Sequence, residues 1–172
     1  MAQKDHSFET PRLSVGEWHS SSDGDGRSLA KLVQSLLSPN VTAPLPEAWH
    51  GAYSESRARS WIQDRDAEGL TLLVRLRESS ECAGLVLLHE SAPDDGQGGE
   101  LRIGYLIAEP LWGRGYASEL VRGLVQWAQG QSYGSVMAGV AAEDAASRRV
   151  LEKCGFSRID DDGAEHFFVR RL

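Results

Sequence analysis

The sequence predicts a mixed α/β fold, a central mixed and mostly antiparallel sheet with about four flanking helices, on three observations. The stretch from Gly99 to Leu120 holds an apolar run ending at Pro110, a turn containing Gly113 and Gly115, and then Ala117, Leu120, Val121, Leu124, Val125 and Ala128 on one helical stripe. Two β-rich runs, Leu70 to Leu76 and Ala83 to Leu88, precede it across the polar turn Arg77 to Glu81. Three strands in succession predict an antiparallel meander. After the helix, Ser135 to Val140 reads as a strand that returns beside the one ending at Pro110, because strand, crossover helix and strand form a parallel βαβ unit.

The remaining elements follow in order. Met1 to Ser7 is polar and expected to fray, and Arg12 to Trp18 alternates Leu13, Val15 and Trp18 in a first strand. His19 to Gly26, rich in serine, aspartate and glycine, reads as a loop. Leu29, Leu32, Val33, Leu36 and Leu37 make the apolar face of a helix ending before Pro39. Pro39, Pro44 and Pro46 keep the segment to Gly51 from running as regular helix, so it reads as a braced loop suited to walling a pocket, with Trp49 and His50 near its end. Ser54 caps a second helix reaching about Arg65, with Ala58, Trp61 and Ile62 on one face. An acidic, glycine-rich loop spans Asp94 to Gly99, and Phe156 to Ile159 and Glu165 to Arg171 form a closing hairpin across Asp160 to Gly163.

A chain of 172 residues is one domain's worth and buries about two thirds of its unfolded surface without disulfides or metals. The net charge of −7 and pI near 5.2 argue against nucleic acid or an anionic membrane as partner and favour a cationic substrate. Cys82 and Cys154 are far apart and form no metal-type cluster, so two reduced thiols and no metal site are expected. No long apolar run or leader is present, and the default location is the cytoplasm.

Gly113 and Gly115 precede a helix whose first N–H groups have no internal partners and point where the macrodipole is positive. Such a place binds phosphate, although a tight turn that needs small residues explains the glycines equally well. A second landmark is Glu143 to Phe156, a short helix opening at an acidic cap and closing at Gly155.

Together these stretches resemble the GNAT family of acetyl-CoA-dependent N-acetyltransferases, in particular the RimJ/RimL branch that acetylates ribosomal-protein N-termini. The carriers are Trp112 to Glu119 as the pyrophosphate loop, Ser147, Val150, Leu151, Glu152, Lys153, Gly155 and Phe156 as the second signature, and Glu9 to Leu13 as the first strand. The resemblance implies that two parallel strands splay apart and admit the pantetheine arm, which bonds backbone around Leu106, Ile107 and Ala108, with the Leu106 amide as oxyanion donor. It implies pyrophosphate on the amides of Gly113, Arg114, Gly115, Tyr116 and Ala117, with the Arg114 side chain at a phosphate oxygen and Trp112 under the loop. Many members protonate the departing thiolate with a tyrosine, but that position holds Leu151 here. Ser147 is the branch's alternative, unless its hydroxyl bonds its own helix. Asp144 stands in place of the family's asparagine, and a helix cap accounts for it.

The base is open. Where many relatives have glutamate stands Arg102, and Glu100 shares its strand face. Either the two pair, or Arg102 binds a substrate carboxylate while Glu100, His89 or His50 takes the proton through water. The expected partner is a small-molecule or peptide amine, acetylated directly in a ternary complex by a monomer or homodimer. The alternative is an inactive GNAT-fold module that binds acyl-CoA as a sensor.

Overall fold

The computed structural model describes residues 4–21, 28–92, 98–161 and 163–172. One eight-stranded sheet runs through it in the order β1-β2-β3-β4-β5-β6-β8-β7. Its strands are β1 Phe8–Glu9, β2 Leu13–Glu17, β3 Leu70–Leu76, β4 Cys82–Ser91, β5 Glu100–Ile107, β6 Ser135–Ala141, β7 Ser157–Asp161 and β8 Glu165–Arg171. Neighbours from β1 to β5 are antiparallel and follow chain order, as the meander requires. β5 and β6 are parallel, joined by the crossover helix Tyr116–Gly130, so the sheet is mixed.

The helices are α1 Trp18–Ser21, α2 Leu29–Leu36, α3 Pro39–Thr42, α4 Glu55–Glu68, α5 Tyr116–Gly130 and α6 Ala145–Lys153. Two cores form, one on each sheet face. Leu101, Ile103 and Ile107 of β5 pack with Leu120, Leu124 and Leu151 of α5 and α6. Leu106, Leu85 and Leu73 pack instead with Leu32, Val33, Trp61 and Ile62 of α2 and α4. Alternate β5 residues thus belong to opposite cores, as the period of two demands.

Several boundaries differ from the sequence reading. The segment after Leu37 does contain regular helix, because Ser38 caps Val41 N–H and Pro39 occupies the first helical position, where its missing N–H costs nothing. The loop expected from His19 begins as the short α1, and residues 22–27 of it lie outside the described residues. α4 runs on to Glu68, where Arg65 and Glu68 pair at 2.6 Å one turn apart. The closing hairpin forms, but it is β8 that lies beside β6 while β7 takes the sheet edge. Of the N-terminal stretch expected to fray, residues 4–7 are docked: Lys4 lies 4.1 Å from the Tyr133 ring centre and Asp5 C=O accepts from Trp127 Nε1 at 3.0 Å. Of the acidic loop at Asp94 to Gly99, residues 94–97 lie outside the described residues, as does residue 162 of the final turn.

Cys82 and Cys154 are unbridged. Among the described residues no helix is long and apolar enough to cross a membrane, and no cluster of three His, Cys, Asp or Glu side chains is placed to hold a metal ion.

Candidate functional site

The site begins where the parallel pair stops pairing. The β5–β6 ladder runs from Glu100 opposite Ser135 to Ile103 opposite Ala138 and goes no further. β5 nevertheless continues to Ile107, and β6 continues to Ala141 while still paired to β8. The two strands therefore part after Ile103, leaving backbone groups of β5 facing a gap.

Strand alternation decides which groups those are. Ala108 N–H donates to Ala83 C=O at 2.8 Å, and hydrogen-bonded pairs alternate along an antiparallel ladder. Leu106 and Ala108 consequently turn their N–H groups toward β4, while Tyr105 and Ile107 turn theirs toward the gap. This corrects the expectation of a Leu106 oxyanion donor and of an Ala108 amide free for the pantetheine arm. The reason is parity: an even position on this strand is already committed to the neighbouring ladder. The Ile107 C=O is likewise committed, accepting from Trp112 Nε1 at 2.8 Å. Trp112, 48 % exposed, thus pins the loop to the end of β5 instead of packing in a core.

The loop follows directly. Gly113 and Gly115 have φ of 74° and 80°, in the left-handed region that residues with a Cβ avoid. Gly115 is the N-cap of α5 and supplies no side-chain bond to its first turn. Helices α2, α3, α4 and α6 are instead closed by Ser28, Ser38, Ser54 and Asp144. The opening amides of α5 are left for an acceptor from outside, at the positive end of a 15-residue helix.

Arg12 braces this loop from the first strands. Its Nη1 donates to Arg114 C=O at 3.0 Å, and its guanidinium lies 4.1 Å from the Tyr116 ring centre. Arg12 N–H, Arg12 Nε and the Thr10 hydroxyl all donate to the Glu119 carboxylate, at 2.7, 2.6 and 2.6 Å. The Thr10-Pro11-Arg12 corner between β1 and β2 serves to hold the loop.

A cavity of about 470 Å³ joins the gap to the loop, lined by Leu106, Ile107, Trp112, Gly113, Gly115, Tyr116, Ala117, Asp144 and Ser147 of the residues expected there, and also by Tyr105. Ala108 and Arg114 are not in its wall, the first turned to β4 and the second exposed. The proline-braced segment closes it with Val41, Pro44 and Leu45. Glu109, which follows β5, anchors that segment by accepting from Ser38 Oγ and Asn40 Nδ2 at 2.7 and 2.6 Å. A second cavity of about 350 Å³ meets the first at Pro44, Leu45, Tyr105, Asp144 and Ser147, and Glu143 and Glu165 line its far side.

Asp144 accepts from Ser147 N–H at 3.1 Å as the α6 cap. Tyr105 stands at the meeting point of the two cavities. Its hydroxyl is buried with no hydrogen bond of ordinary geometry, the Ser147 hydroxyl beside it. Burial pushes the phenol pKa well up, against the pull of Ser147, so Tyr105 keeps its proton at neutral pH. An isolated Gly-Tyr pair carries no sequence signal for this; only the neighbouring helix reveals it.

The other expected residues lie elsewhere. Glu100 pairs with Arg102 Nε at 3.0 Å and stands five residues of strand from Tyr105, about 16 Å at 3.3 Å per residue. It is not brought to either cavity. His89 sits opposite Arg102, bonded through Nδ1 to Glu68 C=O at 3.2 Å. Trp49 packs edge-on to Trp61 with ring centres 5.3 Å apart, and His50 Nε2 donates to Leu45 C=O at 2.8 Å. Neither enters the cavities; their segment walls the site through Pro44 and Leu45 instead.

The site thus combines a split parallel pair with an uncapped helix start on two left-handed glycines. Residues 25–157 match the family model of the acetyltransferase (GNAT) domain, and the chain belongs to this family of acetyltransferases, which use acetyl-CoA. Solved structures agree in fold. A GNAT-family acetyltransferase from Bacillus anthracis superposes with TM-score 0.74 at 19% identity over 96% of this chain and 98% of its own. A GCN5-related N-acetyltransferase from Brucella melitensis gives 0.76 at 18% over 98% and 80%. A RimL ribosomal L7/L12 alpha-N-protein acetyltransferase, solved with coenzyme A, gives 0.71 at 14% over 97% and 98%. No curated protein is similar enough in sequence to match the chain.

Proposed function

We propose that this protein transfers an acetyl group from acetyl-CoA to a primary amine by direct attack, in the manner of the RimL-like branch. The observation that carries the reading is the single cavity running from the uncapped start of α5 to the opened edge of β5. The residues fit the ligand: the amides from Gly113 to Ala117 would hold its pyrophosphate, and the gap-facing N–H groups of Tyr105 and Ile107 its pantetheine arm and acyl oxygen. When bound, acetyl-CoA supplies an activated acyl carbon and a thiolate leaving group.

The chain's own residues then have three tasks. The backbone of β5 places hydrogen-bond donors at fixed positions where oxygen gains charge. Ser147, with Tyr105 behind it, offers a hydroxyl proton at the cavity junction for the departing sulfur. Glu143 and Glu165 line the approach from the other side, attract an ammonium and accept its proton through water. No covalent enzyme intermediate is needed, because amine and thioester meet through the gap.

The test is release of free thiol from acetyl-CoA over a panel of peptides and small amines, beside calorimetric titration with coenzyme A. Binding with turnover on some amine is expected. Binding without turnover on any would make the protein an acyl-CoA-binding module, and absence of binding would end the reading.

A further inference from the structure

A third hollow, about 460 Å³, opens on the α4 side of the sheet at the start of β5, lined by Arg65, Glu68, Thr71, His89 and Arg102 among others. It shares Ile103 and Gly104 with the second cavity, so the two hollows border one another along β5 at Gly104. Gly104 has no side chain to divide them, and a Cβ there would stand 3.6 Å from Leu87.

The two hollows carry different side chains: Glu143 and Glu165 line the gap end, and Arg65, Glu68, His89 and Arg102 the other, with Arg65 and Arg102 each holding one glutamate. Arg65 is held rigidly, its side chain 7 % exposed between Trp49 and Trp61, whose ring centres lie 4.5 and 5.1 Å from its guanidinium. Glu68 takes its Nε and Nη2 at 3.0 and 2.6 Å, while Nη1 is buried without a hydrogen-bond partner. Buried guanidinium N–H groups ordinarily have acceptors. Arg102 gives Nε to Glu100 and, among the described residues, neither Nη group has an acceptor. An arginine has five N–H donors, so this pairing leaves it able to bind a second anion.

We propose that this hollow is an anion subsite and that the preferred acceptor is an amine carrying a carboxylate or similar anionic group about 10 Å from the reacting nitrogen, the span of three strand residues between Arg102 and Tyr105. The proposal rests on the acetyl-transfer reading for the identity of the gap end, but the anion subsite is tested by binding alone. A carboxylate between Arg65 and Arg102 fixes one end of the acceptor while the ammonium reaches the carboxylates by the gap. The required chemistry is met by a linear amino acid with a distal carboxylate or by a peptide N-terminus followed by an acidic residue at the third position.

The experiment titrates the coenzyme A-saturated protein with matched pairs: ω-amino acids of four to eight carbons against their amides, and tetrapeptide amides with aspartate or asparagine third. The acidic member of a pair is expected to bind about tenfold more tightly, as a charge-assisted pair warrants. The small-molecule and peptide arms show which source the subsite takes. Arg102→Gln, an exposed substitution, should close the gap within the pair by weakening the acidic member. Equal affinities within every pair, or a preference unmoved in Arg102→Gln, overturns the proposal. Preferential binding of the acidic members with no thiol release from acetyl-CoA overturns the transfer reading and leaves the anion subsite standing.

Discussion

Arg12 and Glu119, 107 positions apart in the chain, are joined at 2.6 Å by the Arg12 Nε donor, and this contact sets the loop that would receive the pyrophosphate. Glu119 stands in the first turn of α5, where a carboxylate suits the helix dipole. Its oxygens collect Thr10, the Arg12 amide and the Arg12 side chain, and the same guanidinium holds Arg114 C=O. Removing the charge in Glu119→Gln should cost about 1–2 kcal/mol, the charge-assisted part being discounted because Arg12 is 44 % exposed. Coenzyme A affinity should fall as well, since the loop loses its brace. Urea unfolding and calorimetry check both; unchanged values in each would show that the loop stands without it.

The same carboxyl gives a pH dependence. Burial works to raise the Glu119 pKa, but the bonds from Thr10 and Arg12 outweigh it and hold the group below its ordinary value of 4.5. A depressed folded-state pKa means that the stabilisation is present in full above that ordinary value and is lost as pH falls through the lower, folded one. Wild-type stability should therefore decline more steeply on acidification than that of Glu119→Gln. Parallel curves would assign the acid loss to other groups.

Gly115 is needed for its backbone. A Cβ there meets nothing closer than Arg12 Nη2 at 3.6 Å, so the obstacle to substitution is the φ of 80°, not space. Gly115→Ala should lose about 1–2 kcal/mol of stability, whereas Gly115→Glu adds a negative charge at the proposed phosphate position and should lower coenzyme A affinity by about a hundredfold or more. Wild-type affinity in Gly115→Glu would move the phosphate site elsewhere.

Tyr105 and Ser147 divide the proton reading between them. Tyr105→Phe removes a buried hydroxyl that has no ordinary partner, so stability should hold or rise. Turnover should drop about tenfold or more in Tyr105→Phe and in Ser147→Ala, with coenzyme A affinity nearly unchanged in both. If Tyr105→Phe turns over normally, Ser147 acts alone.

Glu100→Gln should leave the pH–rate profile as it is, because five residues of strand separate Glu100 from Tyr105, where the two cavities meet. A profile altered on its acidic limb would bring Glu100 back as the base.

Much of the frame was legible in residue order. Apolar, β-rich runs marked β3, β4 and β5, the glycine pair marked the bend before α5, and Asp144 announced the start of α6, because each depends on neighbours a few residues away. The family signatures were readable for the same reason: they are contiguous stretches that shape one loop or one helix end. What the chain order did not reveal was orientation. Leu106 and Tyr105 are adjacent, yet only the pairing of Ala108 with Ala83 shows that the first faces β4 and the second the gap. Glu100 was one of three candidate bases, with His89 and His50, but placement along the strand takes it away from the meeting point of the two cavities at Tyr105. Trp49 and His50 sat in the right segment, while Pro44 and Leu45 form its wall. Tyr105 meets Ser147 across 42 residues of sequence, and Arg65 joins His89 and Arg102 in one hollow. Local geometry is encoded by local sequence; which side chains share a cavity depends on sheet register and helix docking, and those are settled by burial of the two cores as a whole.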